Sequence, residues 1–294
     1  MKVVDPPTDG LRAGFGHAAL EVDLVYREST VTSAFATSPL KLLTPRSRGA
    51  SVWAYTSSFG GGLVAGDQTR LDIRLGPGTR CFVGTQASTK VYRNPDGLPC
   101  GHTTMARLAP DSLLVFAPDP VQAFADSAYV QRQEFHLAPG AGLALVDWLT
   151  SGRAACGERW KFDQFQSRNE VWTMTNEIPD STETKLERVF LDSLRLDSGA
   201  EELASSHRMG RFNCIAMLLL TGAPVREAAA CLLADISPQP VTRQASLICS
   251  ASPIRDGAML RVAGEDVEAV GRELHRHLAF LHDLLGDDPW ARKW

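Results

Sequence analysis

Acidic side chains inside apolar segments are the residues of this chain whose chemistry is easiest to specify. Asp147 interrupts the run Leu143-Ala144-Leu145-Val146-Asp147-Trp148-Leu149. Ionised carboxylates are seldom buried unless they are paired or bind a cation. Four more acids stand in apolar surroundings: Asp67, Asp119, Glu158 and Glu187. Carboxylate oxygens on scattered strands would hold a divalent ion loosely and let it move on.

Asp147 has two possible environments. A neighbouring cation, Lys90, Arg153 or Arg168, would make it half of a buried ion pair. A polar, water-filled passage lined by carboxylates would hydrate it instead. The residues alone leave both possibilities open.

The chain lacks the usual catalytic motifs. Gly-x-Ser-x-Gly and His-Glu-x-x-His are both absent, which argues against a nucleophile elbow and a zinc protease site. An enzyme remains an alternative if Asp67, Asp147 and Glu187 converge in a cleft as acid–base groups, with at least one raised pKa. A non-enzymatic scaffold or conduit suits acids spread along strands better.

Cysteine and histidine spacing does not predict a tight metal site. The six cysteines include no Cys-x-x-Cys pair, so most should be small buried apolar residues. A C-terminal helix carries His275, His277 and His282. These three histidines could bind a metal or simply form a solvated helix face.

A glycine-rich loop is the most distinctive segment. Glycines 60, 61, 62 and 66 precede Asp67, and Lys90, Tyr92 and Arg93 follow about twenty residues later. No Gly-Lys-Ser/Thr follows, and residues 68–75 alternate like a strand, so the loop is neither a P-loop nor a dinucleotide-binding turn. We expect tight turns at these glycines, with at least one positive φ, and Lys90 or Arg93 near Asp67.

Composition limits the function further. The 294 residues are 44% hydrophobic and carry a net charge of -4, with a pI near 6.0. We therefore expect no nucleic-acid partner and no attraction to acidic lipid. No apolar run is long enough to span a membrane, and residues 1–7 lack the apolar core of a signal peptide. These features predict a cytoplasmic protein.

An internal repeat predicts the fold. A strand, a Leu-x-Pro-Gly/Asp turn and a second strand occur three times, with leucines at 75, 108 and 137. Proline and glycine suit such turns. Each unit has one apolar face and must stack on a neighbour, so residues 12–200 should form a mainly β, solenoid-like body with the three leucines at equivalent positions.

The C-terminal third has a different character. Strands are expected at residues 211–221, 244–250 and 258–263, and helices at 224–234 and 264–285. We predict a single domain over 1–294, with a β body at roughly 12–210 and a mixed part at roughly 211–290. The two helices should lie together on the β body, beside exposed apolar residues that could contact a partner.

The glycine loop and the segment after it resemble one known family. They are close to Gly-Gly-x-x-x-Gly-Asp followed by Thr-x-Ala-x-x-Lys-x-Tyr-Arg, the signature of the UreD (UreH) urease accessory proteins. Val146-Asp147-Trp148-Leu149, Ser151-Gly152-Arg153 and Gly157-Glu158 look like a further family segment. The likeness covers most of residues 14–280. The sequence around Asp119, Ala117-Pro118-Asp119-Pro120, departs from the family's Phe-Pro-Gly-Ala, which leaves the role of Asp119 open.

The resemblance implies a function. UreD proteins have a β-helix-like body and no enzymatic activity, bind apo-urease and UreF, and reach the GTPase UreG through UreF. They are thought to help deliver nickel, which would pass transiently without a tightly bound cofactor or a fixed metal site. On this basis Asp147, Glu158 and Glu187 should line one passage through the body. A pure interaction module, with a solid core, is a further alternative.

Overall fold

The computed structural model describes residues 15–46, 49–175, 185–198 and 202–291, which form two β-sheets and three α-helices. The first sheet has seven strands, in the spatial order β15 (Lys185–Asp197), β14 (Gln164–Thr175), β12 (Ala128–Leu137), β9 (Cys100–Leu108), β6 (Gln68–Leu75), β1 (Phe15–Val25) and β2 (Glu28–Ala36). The second has eleven. Eight of them follow the order β17 (Leu247–Ile254), β18 (Gly257–Gly264), β16 (Cys214–Gly222), β13 (Gly142–Thr150), β10 (Leu113–Phe116), β7 (Arg80–Thr85), β4 (Val52–Ser58) and β3 (Leu40–Leu43). The three short strands β5 (Gly62–Leu63), β8 (Thr89–Val91) and β11 (Val121–Ala123) lie off this path.

The repeated segments stack as a β-solenoid. Strands β6, β9, β12 and β14 run parallel, and Leu75 lies opposite Leu108, which lies opposite Leu137. All three leucines are at most 2% exposed. In the second sheet, β7, β10 and β13 are also parallel. The predicted solenoid and the equivalence of the three leucines are therefore confirmed.

The turns of the repeat share one backbone conformation. The residue after each proline has a positive φ: 69° at Gly78, 59° at Asp111 and 79° at Gly140. Glycine adopts this conformation without steric cost, and aspartate is among the few other residues that tolerate it. The spacing of proline and Gly/Asp in the sequence thus predicts where the backbone turns in each repeat of the solenoid.

Antiparallel strands extend both sheets beyond the repeats. Strand β2 pairs with β1, β15 pairs with β14, and β16, β18 and β17 continue the second sheet from β13. Strands β16, β17 and β18 agree in position with the sequence predictions to within a few residues. Residues 12–14, at the start of the predicted body, lie outside the described residues, as do residues 179–184, where the sequence favours a turn between two strands. The boundaries of the single predicted domain remain a prediction.

Three α-helices pack on the outer face of the second sheet: α1 (Arg226–Ile236), α2 (Val267–Leu278) and α3 (Leu281–Leu285). Asp266 caps α2 by accepting a hydrogen bond from the Ala269 N–H at 2.8 Å. The predicted single helix over 264–285 is therefore wrong in detail, because the chain breaks at residues 279–280. No glycine or proline marks that break, so the sequence offered no stop signal. None of the helices described is long and apolar enough to cross a membrane.

The two predicted helical regions do lie together. Arg276 of α2 forms an ion pair with Asp235 of α1 at 2.7 Å. The described helices themselves carry no large exposed apolar side chain, but Val241, five residues after the end of α1, is 64% exposed. Other large exposed apolar side chains occur on the β1–β2 hairpin and near the glycine loop, including Tyr26, Phe35, Phe59 and Leu98.

Two apolar clusters fill the space between the sheets, and a third lies under the helices. The first cluster includes Leu75, Leu108 and Phe135, and the other inter-sheet cluster includes Tyr129 and Phe165. A polar layer separates these two inter-sheet clusters.

Candidate functional site: a polar layer between the sheets

Two rows of polar side chains cross the interior of the first sheet. The hydrogen-bonding register places Thr69, His102, Gln131 and Ser167 side by side, and two residues further along it aligns Thr104, Gln133, Asn169 and Asp192. Apart from His102, which is partly buried, each of these side chains is at most 8% exposed. Adjacent strands thus contribute a continuous polar layer rather than isolated polar residues.

Apolar rows enclose this layer on both sides. Cys100, Tyr129 and Phe165 align on one side, and Ala106, Phe135 and Val171 on the other. Rows two residues apart on a strand are separated by about 7 Å. Polar groups buried without hydrogen bonds cost free energy. The polar side chains of this layer must therefore hydrogen-bond one another, or hydrogen-bond water or a hydrated ion.

Asp147 approaches the layer from the second sheet. Its carboxylate accepts hydrogen bonds from the Gln131 amide at 2.9 Å, the Ser167 hydroxyl at 2.6 Å and the Asn169 amide at 2.7 Å. The ion pair considered from the sequence is wrong in the described structure. Arg153 pairs with Glu158 and Arg168 with Glu170, and among the described residues no ion pair joins the exposed Lys90 to Asp147. Asp147 therefore belongs to a hydrogen-bonded network of neutral groups.

The environment of Asp147 favours its protonated form. Burial raises the pKa of this carboxyl, the three hydrogen bonds lower it, and the negative charge of Asp192 raises it further. The balance is a pKa above the usual range, because burial penalises the charged form more than neutral donors can offset. A divalent cation nearby would reverse that balance and favour the carboxylate.

Asp147 borders two cavities. One has a volume of about 100 Å³ and is also lined by Thr69, His102 and Gln133. The other has a volume of about 250 Å³ and reaches Asp192 and Arg261. Within the part of the chain that the structure describes, the buried oxygens Gln133 Oε1 and Asn169 Oδ1 have no hydrogen-bond partner. These two acceptors can serve water or a cation in the layer.

An ion pair stands at the second cavity. Asp192 of β15 pairs with Arg261 of β18, which joins the edge of the first sheet to the second. Asp192 is 8% exposed, whereas about half of the Arg261 side chain meets solvent (52% exposed). The sequence analysis did not select either residue, because their pairing depends on how the two sheets face each other.

His102 is a neutral member of the layer. Burial lowers its pKa to about 4. Its ring nitrogens lie 2.8 Å from the Thr69 hydroxyl and 3.0 Å from the Thr104 hydroxyl. The Thr69 hydroxyl donates to the Gly101 carbonyl, so Nδ1–H of His102 donates to Thr69 and Nε2 accepts from Thr104. The sequence analysis missed His102, although its inward position on an alternating strand was a usable signal.

Glu158 and Glu187 lie elsewhere. The Arg153 guanidinium donates to Glu158 at 2.9 Å, and the same carboxylate accepts from the Ala125 N–H at 3.3 Å. Glu187 pairs with Arg255 at 2.6 Å. Neither acid lines the two cavities beside Asp147. The predicted set of Asp147, Glu158 and Glu187 is therefore not brought together, because two of its members are neutralised by local arginines.

Asp119, whose role the sequence left open, lies beside the first cavity. Its carboxylate accepts a hydrogen bond from the Thr85 hydroxyl at 3.1 Å, while its backbone N–H donates to the same hydroxyl at 2.7 Å. The segment around Asp119 is thus tied to the end of β7 at the cavity wall.

The glycine loop contributes to the wall of the first cavity. Gly60, Gly61 and Gly66 have φ values of 74°, 73° and 82°, as expected for turns, and Gly61 lines the cavity. Gly62 is different: its backbone is extended in β5, and an added Cβ would come within 2.6 Å of both the Lys90 carbonyl and the Tyr92 ring. The predicted turn at Gly62 is therefore wrong, and this glycine permits close strand approach instead.

The Asp67 side chain forms a hydrogen bond within the glycine loop. Its side chain is 6% exposed and accepts a hydrogen bond from the Val64 N–H at 3.0 Å. The hydroxyl of Tyr92 donates to the Gly60 carbonyl at 3.2 Å. Arg93 contributes to the electrostatic environment of Glu158. A contact of Lys90 or Arg93 with Asp67 stays a prediction.

Replacing Asp67 tests whether its hydrogen bond stabilises the glycine loop. Asp67→Ala should lower the free energy of unfolding by about 0.5–1.5 kcal/mol, because the Val64 N–H loses its carboxylate acceptor. Asp67→Asn is the matched control and should cost less, since its amide oxygen still accepts. Chemical denaturation of both variants gives the comparison. If Asp67→Ala were as stable as the wild type, the loop would be a simple turn to which Asp67 contributes no stability.

The histidines of the C-terminal helices point to different partners. His275 contacts Trp290, His277 hydrogen-bonds Glu273 at 3.1 Å, and His282 lies 3.3 Å from Asp288. Among the residues described, no group of three or more His, Cys, Asp or Glu side chains is arranged to hold a metal. The acid–base alternative also fails geometrically, because Asp67, Asp147 and Glu187 lie in three separate environments.

Comparison with known proteins agrees with these features. The family profile described as UreD urease accessory protein matches residues 15–294. Urease accessory protein UreD of Sorangium cellulosum (strain So ce56) is 45% identical over 285 residues, which cover 96% of this chain and 86% of the relative. Urease accessory protein D of Arabidopsis thaliana is 33% identical over 300 residues, covering 92% and 98%.

Proposed function

Because the chain belongs to the UreD family of urease accessory proteins, and so has a role in urease maturation, we propose that it is a non-enzymatic scaffold for nickel delivery. It binds apo-urease on one side and UreF on the other, and UreF recruits the GTPase UreG. The assembly works in the cytoplasm, and nickel is a transient cargo rather than a resident cofactor.

The polar layer is the observation that carries the nickel-passage part of this proposal. It crosses the body between two apolar clusters, and Asp147 lines both of the neighbouring cavities. The acceptors that this layer offers are mainly oxygens: the carboxylates of Asp147 and Asp192 and the amide oxygens of Gln133 and Asn169. A solid core, as a pure interaction module would have, does not account for unpartnered buried oxygens.

The chemistry of the layer suits transfer better than storage. Ni²⁺ is held firmly by several nitrogen or sulfur ligands, whereas the layer supplies scattered oxygens and a histidine whose two nitrogens are already hydrogen-bonded. A route must release its ion, so weak ligation fits the function. In this proposal, amide and hydroxyl groups take the place of Glu158 and Glu187 as the lining of the route beside Asp147.

Reconstitution with purified components tests the proposal. Apo-urease, UreF, UreG, GTP and limiting Ni²⁺ should yield active urease with this chain and little without it, and the chain should co-purify with UreF and with apo-urease. Urease activity and nickel content of the isolated urease are measured together. Full activation without the chain, or failure to bind either protein, would contradict the proposed role.

A further inference from the structure

The outer face of the first sheet carries charges in ordered rows. In register across the strands, one row contains Arg70, Arg132 and Arg168, and the next contains Asp72, Glu134 and Glu170. The third row contains Arg74, Arg107 and, on β15, Arg188. An acidic row is therefore flanked by two arginine rows, about 13 Å apart along the strands.

Every acid of the middle row is already engaged within the chain. Asp72 accepts from Arg70 at 2.7 Å and from His17 at 2.7 Å. Glu170 accepts from Arg168 at 2.5 Å and from Arg188 at 3.3 Å, and Glu134 pairs with His136 at 2.5 Å. The middle row therefore offers little negative charge to a partner.

Donors remain unused on the same face. Arg107 and Arg132 are exposed, and across the described ranges neither has a carboxylate within ion-pair distance. Trp172 stacks against His136, with ring centroids 6.4 Å apart, and lies under Arg188. The two unpaired guanidinium groups are both donors, so the face is complementary to acceptors with negative charge.

We propose that this face, defined by Arg107, Arg132 and Trp172 at its centre, is the docking surface for an acidic protein surface. The inference rests on the proposed function and deepens it, since it assigns one of the two protein contacts of the scaffold to the outer face of the first sheet. Arginine and tryptophan are the residues that most often dominate such contacts.

The geometry selects a protein over a small anion or a nucleic acid. The arginines are spread over a flat face about 20 Å wide, so a free anion would meet one guanidinium in water and gain little. A nucleic acid is bound through many cations along its backbone, whereas the unpaired cations of this face are Arg107 and Arg132, on a chain whose net charge is -4. A protein surface with separated carboxylates can pair with Arg107 and Arg132 and pack against Trp172 and the half-exposed Leu191 (42% exposed).

Charge reversal at the two unpaired arginines tests the surface. Dissociation constants are measured for UreF and for apo-urease separately, with wild type, Arg107→Glu/Arg132→Glu and Arg27→Glu/Arg243→Glu. The last variant is the matched control, because it makes the same charge change at two exposed arginines elsewhere. All substituted arginines are exposed, so the fold should be retained.

We expect Arg107→Glu/Arg132→Glu to weaken one of the two complexes by about 100-fold, while the control changes it less than about threefold. Wild-type affinity for that partner should also fall as salt is raised from 50 to 300 mM. Unchanged affinity of the charge-reversed variant for both partners would overturn the inference and leave the scaffold role intact. Failure of the wild type to bind either protein would contradict the proposed function itself, and the docking surface with it.

Discussion

Blocking the polar layer should abolish urease activation while leaving assembly intact. Asp147→Leu removes the carboxylate between the two cavities and places an apolar group where a hydrated cation would pass. Ala87→Trp fills the outer end of the first cavity, which Ala87 lines from an exposed position. We expect either variant to reduce nickel-dependent activation to less than about a tenth, because dehydrating a divalent ion in an apolar constriction is costly.

The two variants differ in a useful way. Asp147→Leu leaves the donors of Gln131, Ser167 and Asn169 without their acceptor and should lower stability by several kcal/mol. Ala87→Trp breaks no buried hydrogen bond, so it reports on the passage if the first variant misfolds. Co-purification with UreF and apo-urease is measured beside activation. Normal activation by a stably folded Ala87→Trp chain would contradict the route through this cavity.

Conservative and remote variants complete the comparison. Asp147→Asn keeps an oxygen ligand and the width of the layer, so activation should fall less than with leucine. Glu158→Gln and Glu187→Gln should activate nearly as well as wild type, since both acids sit in ion pairs outside the two cavities. A strong loss at Glu158 or Glu187 would instead restore the three-acid passage that the sequence predicted.

His102 should make the protein sensitive to mild acid. Its pKa in the fold is about 4, whereas an unfolded histidine titrates near 6.5. Between these pH values His102 is protonated in the unfolded chain but neutral in the folded chain. The free energy of unfolding therefore falls as the pH drops from about 6.5 to about 4. The loss from this group amounts to about 3 kcal/mol across the window.

His102→Gln isolates that contribution. At pH 7.5 the variant should be less stable than wild type by about 1–3 kcal/mol, because it disturbs the contacts with Thr69 and Thr104. Toward pH 4 the difference should shrink and reverse, since glutamine does not titrate. Urea unfolding followed by tryptophan fluorescence at several pH values gives both curves. A difference that is constant with pH would show that His102 is not held neutral in the fold.

The sequence by itself determined the solenoid and its repeat. The turn residues Gly78, Asp111 and Gly140 each follow a proline at a fixed distance from a leucine, and such local chemistry dictates the backbone wherever it occurs. Stacking in register then follows, because each unit has one apolar face to bury. Three of the four loop glycines were equally predictable, since positive φ at Gly60, Gly61 and Gly66 is a local requirement, whereas the role of Gly62 depends on its contact with Lys90 and Tyr92.

Only the tertiary structure decided which polar residues meet. Asp147 and Asp192 come from different sheets, and their neighbours Gln131, Ser167 and Asn169 reach them through strand register across the solenoid. The sequence could mark Asp147 as an acid in an apolar run, but not the amides around it, since glutamine and asparagine inside a strand look the same whether they face solvent or core. The prediction that Glu158 and Glu187 line the same passage failed for a related reason. Whether a carboxylate is free to bind a cation depends on its distance from the nearest arginine, and that distance is set by folding.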